Sequence, residues 1–560
     1  MDDILLGVHK PARYIGNEYN VSKKDFAKAE VKFALCFPDL YEVGMSNLGI
    51  RILYGVLNNV PEIVCERFFS PAIDFEKALR LKIQEIFSLE SKKPLRDFDI
   101  VGFSLGYELL FTNVLNILDL GGIPLKSCER GENHPLIIAG GPCVLNPEPM
   151  HEFIDLFVIG EAEEAVLDIV YRYKENKGKS RRDLLLELAK IEGVYVPALG
   201  VPKLIKKRFI KDFNNSYFPA DWIVPYIQII HDRITLEVMR GCPNRCRFCQ
   251  ARALYYPWRT KSKENILKLG LETYKKTGYE DVSLCGLSVS DYPQMEELLK
   301  ELVCNFKEKG VSISLPSIKP RDIVGNLSYL ISTIKKTGLT FAPEVGTEKM
   351  RNIIGKDFDL NIFWEALAQA YTNGYQHIKL YFMIGLPFEE ESDLEAIVAL
   401  ASEVSELKRK INKSPAQVNI SVNTLIPKPH TAFQRFGMLD LAGMRAKENY
   451  IKSKVKNKRL RFSFHNHYMS LLEGVLSRGD RLLSKVILCA FKKGARFDAW
   501  DEHFNFARWQ EAFVESGINY EAYLKERPQD EPLPWDFIDT GVSKDYLRAE
   551  ENKIIAINQQ

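Results

Sequence analysis

Cys242, Cys246 and Cys249 stand in the run Glu237-Val-Met-Arg-Gly-Cys-Pro-Asn-Arg-Cys-Arg-Phe-Cys, a Cys-x3-Cys-x2-Cys spacing that puts three thiols on one tight loop. A [4Fe–4S] cluster held entirely by protein takes four thiolates. Three local cysteines therefore suggest a cluster with one iron kept open for something that reacts. Two other chemistries compete, a zinc knot and a redox-active cysteine pair. Structural zinc recruits four ligands from paired Cys or Cys/His elements, and no second pair stands near this loop. His231 precedes the apolar run Ile234-Thr-Leu-Glu-Val-Met and would have to fold back to reach. Ligand count and spacing favour the cluster.

Such a loop needs a rigid frame, and the chain alternates short apolar runs with helix-length spacers on both sides of it. After the loop come Asp281-Val-Ser-Leu-Cys-Gly, Val311-Ser-Ile-Ser-Leu-Pro, Leu339-Thr-Phe-Ala-Pro-Glu, His377-Ile-Lys-Leu-Tyr-Phe-Met-Ile-Gly and Val418-Asn-Ile-Ser-Val-Asn. With Ile234–Met239 they make six expected strands, which suggests an incomplete barrel whose chemistry lies at the carboxyl ends of its strands. Before the loop, Val31-Lys-Phe-Ala-Leu-Cys-Phe-Pro, Asp99-Ile-Val-Gly-Phe-Ser-Leu, Pro135-Leu-Ile-Ile-Ala-Gly-Gly-Pro and Leu156-Phe-Val-Ile-Gly-Glu each end in a glycine, proline or polar turn. Strands alternating with helices imply a parallel, doubly wound sheet, in which ligands gather beyond the carboxyl ends of the strands. Ser46, Ser104, Gly140, Gly141 and Gly160 fall near such ends.

At 560 residues there is room for roughly three or four domains. Lysine and arginine total 76 against 74 aspartates and glutamates, so no overall basic field advertises nucleic acid. The longest apolar stretches are broken well short of the roughly 20 residues of a membrane span, and the acidic start Met1-Asp-Asp lacks a secretory pattern. The expected location is cytoplasmic. The other cysteines, Cys36, Cys65, Cys128, Cys143, Cys285, Cys304 and Cys489, are scattered and read mostly as small buried hydrophobes rather than a disulfide framework.

The cysteine motif resembles that of the radical S-adenosylmethionine (radical SAM) superfamily, in which the open iron chelates the amino and carboxylate groups of S-adenosylmethionine. One-electron cleavage of the sulfonium then gives methionine and a 5′-deoxyadenosyl radical. The resemblance implies a partial (β/α)6, TIM-like core. It also implies further contacts to the nucleoside: Phe248, between the last two cysteines, as the aromatic whose neighbouring backbone meets adenine; Leu287, Ser288 and Ser290 as the turn facing the methionine amino group; Glu344 as acceptor of the ribose hydroxyls; and Gly385, in Met383-Ile-Gly-Leu-Pro, as the close approach to adenine. Here Cys285-Gly-Leu-Ser-Val-Ser replaces the usual glycine-glycine-glutamate. Glu344 also admits a capping or ion-paired role. Lys319, Arg321, Lys379 and Tyr381 are candidates to point into the barrel, and a buried lysine there needs an anionic partner.

The region before the core resembles the cobalamin-binding-like, Rossmann-like domain that precedes many radical SAM cores. Its echoes are Gly140-Gly-Pro-Cys-Val-Leu-Asn-Pro-Glu and Val158-Ile-Gly-Glu-Ala-Glu. Where many cobalamin proteins carry Asp-x-His-x-x-Gly, this chain has Asp39-Leu-Tyr-Glu-Val-Gly44, with Tyr41 in place of the histidine. A tyrosine hydroxyl is a poor cobalt ligand beside imidazole. The expectation is that cobalamin, if bound, is held without histidine ligation; the plain alternative is that these glycines are tight turns. The expected division is 1–175 cobalamin-binding-like, 176–225 connector, 226–455 radical SAM core, and 456–560 a small, mainly helical region read as a lid. His430, His465 and His467 invite a second metal site, since alternation on a strand puts the last two on one face; substrate contact or packing is the preferred role.

The order of domains resembles a poorly characterised bacterial radical SAM family associated with a second small radical-SAM-linked protein. It implies reductive cleavage of S-adenosylmethionine followed by C–H functionalisation or cobalamin-linked methyl transfer, with an electron donor such as flavodoxin or ferredoxin. RNA, protein and small metabolites all remain open as substrate. The alternative is a cluster-containing RNA- or protein-binding factor without radical turnover.

Overall fold

Apolar residues occupy both faces of the N-terminal strands, the pattern of a parallel sheet covered on two sides. In the computed structural model, which describes residues 2–314, 319–324 and 339–559, β1 (Val31–Phe37), β2 (Ile63–Phe69), β3 (Ile100–Ser104), β4 (Leu136–Gly140), β5 (Leu156–Val158) and β6 (Val194–Tyr195) form one sheet. Its order is β2-β1-β3-β4-β5-β6, parallel except for β6, which runs antiparallel to β5. Helices α1 (Leu48–Asn58) and α3 (Ala162–Glu175) cover the face carrying Phe33, Leu35, Ile100 and Ile138. Helix α2 (Phe111–Leu120) covers the face carrying Ala34, Val101, Phe103 and Ile137. The doubly wound expectation holds.

The barrel is built from β7 (Ile234–Glu237), β8 (Asp281–Cys285), β9 (Ser312–Ser314), β10 (Leu339–Glu344), β11 (His377–Ile384), β12 (Gln417–Thr424) and β13 (Leu460–Phe464). They pair in parallel as two sheets, β9-β8-β7 and β10-β11-β12-β13. All six expected strands are present, although Leu315 and Pro316 of the third lie outside the described residues. A seventh strand, β13, pairs with β12 beyond the expected boundary at 455. The helices α4 (Lys263–Thr277), α5 (Met295–Lys307), α6 (Glu348–Ile354), α7 (Leu360–Thr372), α8 (Glu391–Asn412) and α9 (Leu441–Lys454) connect the strands. Strand residues such as Leu236, Leu284, Ile378, Leu380 and Val418 share one core with α5, α7 and α8. Their alternates face inward.

The C-terminal region is not one lid. Helices α10 (His467–Arg478), α11 (Leu483–Lys492) and α12 (Phe506–Ser516) share a core with α2 and the N-terminal sheet, while α13 (Lys544–Asn558) turns back onto the barrel, with Ile554 buried among Met350, Ile353 and Phe433. Between them Ile538–Asp539 pairs with Ile205–Lys206 of the connector. Amphipathic helices go where an apolar face is left uncovered, and here α10 to α12 bury theirs against the N-terminal domain. No described helix is long and apolar enough to cross a membrane.

Candidate cluster and cofactor site

Just beyond β7, Met239–Arg240 pairs antiparallel with Arg259–Thr260 and closes a loop that carries all three cysteines. Gly241 makes the closure possible: at φ +85° a Cβ there would sit 2.8 Å from Trp258 Cα and Tyr255 O. The base of the loop is pinned to the N-terminal domain. Glu161 binds Arg259 at 2.6 Å and Arg240 at 3.3 Å, and Arg240 also meets Glu163 and Glu237, each at 2.8 Å. Lys207, buried, donates to the carbonyls of Ala253, Leu254 and Tyr256, capping the short helix that follows Cys249.

The cysteines are half-buried and close enough for their charges to interact. Burial pushes the Cys246 thiol up to about 11; the Lys356 ammonium works against this, while Cys249, Cys242 and Glu344 reinforce it. Burial raises Cys249 as well, against the backbone N–H groups of Ala251 and Arg252 at the start of its helix. The three thiols thus share one half-buried loop, with Lys356 and the helix-start N–H groups as the nearby features that favour their charged form. His231 is no fourth ligand: it lies before β7, at the strand's opposite end, where its backbone N–H donates to Ser46 Oγ at 3.0 Å. Among the described residues no three His, Cys, Asp or Glu side chains gather on a single ion.

Asn244 lies inside the cysteine motif, and its role was not foreseen from the sequence. Its amide nitrogen lies 3.2 Å from Cys242 Sγ and from Ser288 Oγ and donates to Asp291 Oδ2 at 2.8 Å, while its oxygen accepts from Lys319 Nζ at 3.1 Å. Ser288 donates to Asp291 at 2.7 Å, Lys319 pairs with Asp291 at 2.7 Å, and Arg321 pairs with it too. Ser290 Oγ accepts from the Lys319 backbone N–H at 2.8 Å. Burial alone would raise the Asp291 carboxyl, but hydrogen bonds from Lys319, Ser288 and Asn244 outweigh it and hold the group down to about 2. The turn that carries Ser288 therefore lies beside the first cysteine, organised by an aspartate. Leu287 is exposed at its tip. The anionic partner required by Lys319 is Asp291.

On the opposite half-barrel, Glu344 ends β10 at a register shift, with φ +67°, and accepts from Lys356 Nζ at 2.8 Å. Its ion-paired role is realised at the strand mouth. Gly385 has φ +80°, but the atom that a Cβ there would strike is Leu439 Cδ1, at 2.7 Å, and its N–H donates to Glu389. Phe248 packs against the core that holds Val345, Met350 and Phe433, and the flanking backbone is stitched to Ile354 O and Ala432 N.

The six cobalamin candidates fall into separate surroundings. Tyr41 is buried and donates to Glu18 at 2.9 Å, within a Glu18–Arg67–Glu90 ion network, so its hydroxyl is not available to a metal. Ser46 links to His231. Gly160 lies against the Arg208 backbone, where a Cβ would stand 2.0 Å from its carbonyl oxygen, so the motif around it serves the Glu161 clamp. Only Ser104, Gly140 and Gly141 share adjacent strand ends, next to exposed Gly106, where a Cβ would meet nothing within 4 Å. Just beyond β1, Trp500 covers the strand end, its Nε1–H donating to Asp39 at 2.9 Å. At the Ser104–Gly106 edge the backbone is thus open at Gly106.

The histidines do not form a second metal site. His430 is buried against the Leu145 carbonyl at 3.1 Å, His465 meets Ser470 Oγ at 2.8 Å, and His467 pairs with Glu448. β13 ends at Phe464, and Asn466 caps α10, so His465 and His467 do not alternate on a strand. The strand-borne residues Lys379 and Tyr381 do point inward, with Lys379 Nζ 4.6 Å from the Tyr381 ring centroid.

The family model for radical SAM proteins, N-terminal, matches residues 49–197, and that for the radical SAM superfamily matches 236–401. The uncharacterized protein MJ0966 of Methanocaldococcus jannaschii is 31% identical over 458 residues, covering 81% of this chain and 90% of that protein. The tRNA-2-methylthio-N(6)-dimethylallyladenosine synthase of Petrotoga mobilis is 22% identical over 239 residues, 40% of this chain and 54% of that enzyme. Among solved structures, the radical S-adenosylmethionine methyltransferase TsrM of Kitasatospora setae, with cobalamin and a [4Fe–4S] cluster bound, has a similar fold: TM-score 0.52, 11% identity, 87% of this chain and 99% of that chain.

Proposed function

Since the chain belongs to the radical SAM superfamily, whose members use a [4Fe–4S] cluster and S-adenosylmethionine, we propose that it cleaves S-adenosylmethionine reductively and functionalises a C–H bond of its substrate, methyl transfer included. The cluster and S-adenosylmethionine supply the one-electron cleavage that yields a 5′-deoxyadenosyl radical. The residues of the chain hold and orient. Cys242, Cys246 and Cys249 are the cluster ligands. Asn244 couples Cys242 Sγ to Ser288 and Asp291, and this is the observation that carries the reading: one side chain ties the cysteine loop to the polar turn expected to meet the methionine end. Glu344, neutralised on one side by Lys356, supports a role for the opposite strand mouth in receiving the ribose. The surrounding barrel keeps water from the reacting atoms. Cobalamin, in the methyl-transfer form of this proposal, would be held at Ser104, Gly140 and Gly141 and would supply the methyl carrier.

Anaerobically reconstituted protein given dithionite and S-adenosylmethionine tests this. The expected product is 5′-deoxyadenosine, abolished in Cys242→Ala, Cys246→Ala and Cys249→Ala. A full four-iron cluster in any of these variants overturns the ligand assignment, and a proven cluster without 5′-deoxyadenosine favours a binding role.

A further inference from the structure

We propose that the barrel lumen takes a substrate that carries a phosphate or carboxylate group, seated on Lys379, Asn419 and Arg461. The proposal rests on the radical reading above, since it assumes that the reacting atoms meet at the mouth of the same barrel.

On β11, β12 and β13 the buried residues Ile378, Leu380, Val418, Ile420 and Leu460 face the helices, so their alternates line the interior. The strands run in register: Lys379 stands beside Asn419 and Asn419 beside Arg461. Neighbouring strands lie about 4.8 Å apart, which sets two cations about 10 Å apart across an amide. Both side chains are long enough to converge on one oxyanion between them. Lys379 and Arg461 are exposed although they lie on the lumen face.

Their partners mark them out. Lys319, Lys356 and Lys428 around the mouth are each paired with carboxylates. Lys379 has no carboxylate partner among the described residues, only the face of Tyr381 at 4.6 Å. Arg461 Nε and Nη1 meet the Gln417 amide oxygen at 2.8 Å in the amide orientation that satisfies both groups, which leaves its charge uncancelled. On β10 to β13 no inward position below Glu344 is acidic. On β10 to β13 the row thus carries two exposed cations with no carboxylate partner among the described residues, while the inward carboxylates Glu237 and Asp281 lie on the facing strands β7 and β8; an unpaired cationic row of this kind fits an anionic ligand.

The next row up, Tyr381, Ser421 and Ser463, offers hydroxyls, and rows repeat about every 6.7 Å along a strand. A substrate anchored at Lys379 and Arg461 would thus run past hydroxyls toward Glu344 and the cysteine loop. Its class is an elongated polar molecule or segment with an anionic end.

The test titrates inorganic phosphate, and in a second arm acetate, into anaerobically purified full-length protein by calorimetry. Saturable binding of at least one anion is expected, weakened at least tenfold in the Lys379→Gln/Arg461→Gln double variant and unchanged in Lys485→Gln on the exposed face of α11. Tighter binding of phosphate than of acetate assigns a phosphoryl group, and the reverse a carboxylate. Failure of both anions to bind, or equal binding by the double variant with an intact cluster spectrum, overturns the proposal. The 5′-deoxyadenosine yield of the unmodified protein without added anion reports separately on the radical reading.

Discussion

Glu550 on α13 holds the guanidinium of Arg247, the residue that follows Cys246, at 2.7 Å across 303 positions of sequence. Arg247 also donates to the carbonyls of Asn352 and Ile353, and one turn earlier on α13 Tyr546 accepts from Arg252 at 2.7 Å. The cysteine loop is therefore clamped by the C-terminal helix. Glu550→Ala leaves a half-buried guanidinium without its counter-charge, for a cost of about 2 kcal/mol. The expected outcome is a lower apo-protein melting temperature and faster loss of iron to a chelator, with Glu550→Gln intermediate. Melting curves and timed iron release measure both.

Asn244 offers an N–H to Cys242 Sγ. Hydrogen bonds to cluster sulfurs help set the reduction potential, because they favour the more negative, reduced state. Losing one bond worth about 1 kcal/mol corresponds to about 40 mV for one electron. Asn244→Ala is expected to move the potential to more negative values by about that amount, read by titration followed by electron paramagnetic resonance.

Burial raises the Asp39 carboxyl to about 6, against hydrogen bonds from Leu40 N–H and Trp500. The folded chain thus keeps a proton that the unfolded chain loses near pH 4. Stability contributed here falls as the pH rises from about 4 to about 6, and the loss, roughly 3 kcal/mol, is complete above that. Asp39→Asn retains an acceptor for Trp500 and removes this slope. Denaturation midpoints at pH 4.5 and 7.5 should converge in the variant relative to the unmodified protein.

The architecture was legible where the signal is local. The cysteine spacing and the apolar runs of β1, β3, β4 and the barrel strands need only their own residues to be read. Ser288 and Glu344, singled out by the resemblance, do stand at or just beyond strand ends. What escaped depends on distant partners: the glycine-glutamate motif at Gly160 resembled a cofactor turn, but Glu161 meets Arg259, 98 positions away. Tyr41 resembled a ligand position until Glu18 and Arg67 enclosed it. Two signals were available and missed: Asn244 within the motif itself, and Asn466, an N-cap residue that ends the alternation on which the paired histidines rested.

The clamps on the loop have a consequence for biogenesis. Glu161 secures it from upstream and Glu550 from more than 300 residues downstream, so a ribosome has translated the whole intervening chain before the loop acquires its final shape. The last hydrogen bonds that shape the loop accordingly form only after the distant helix has docked.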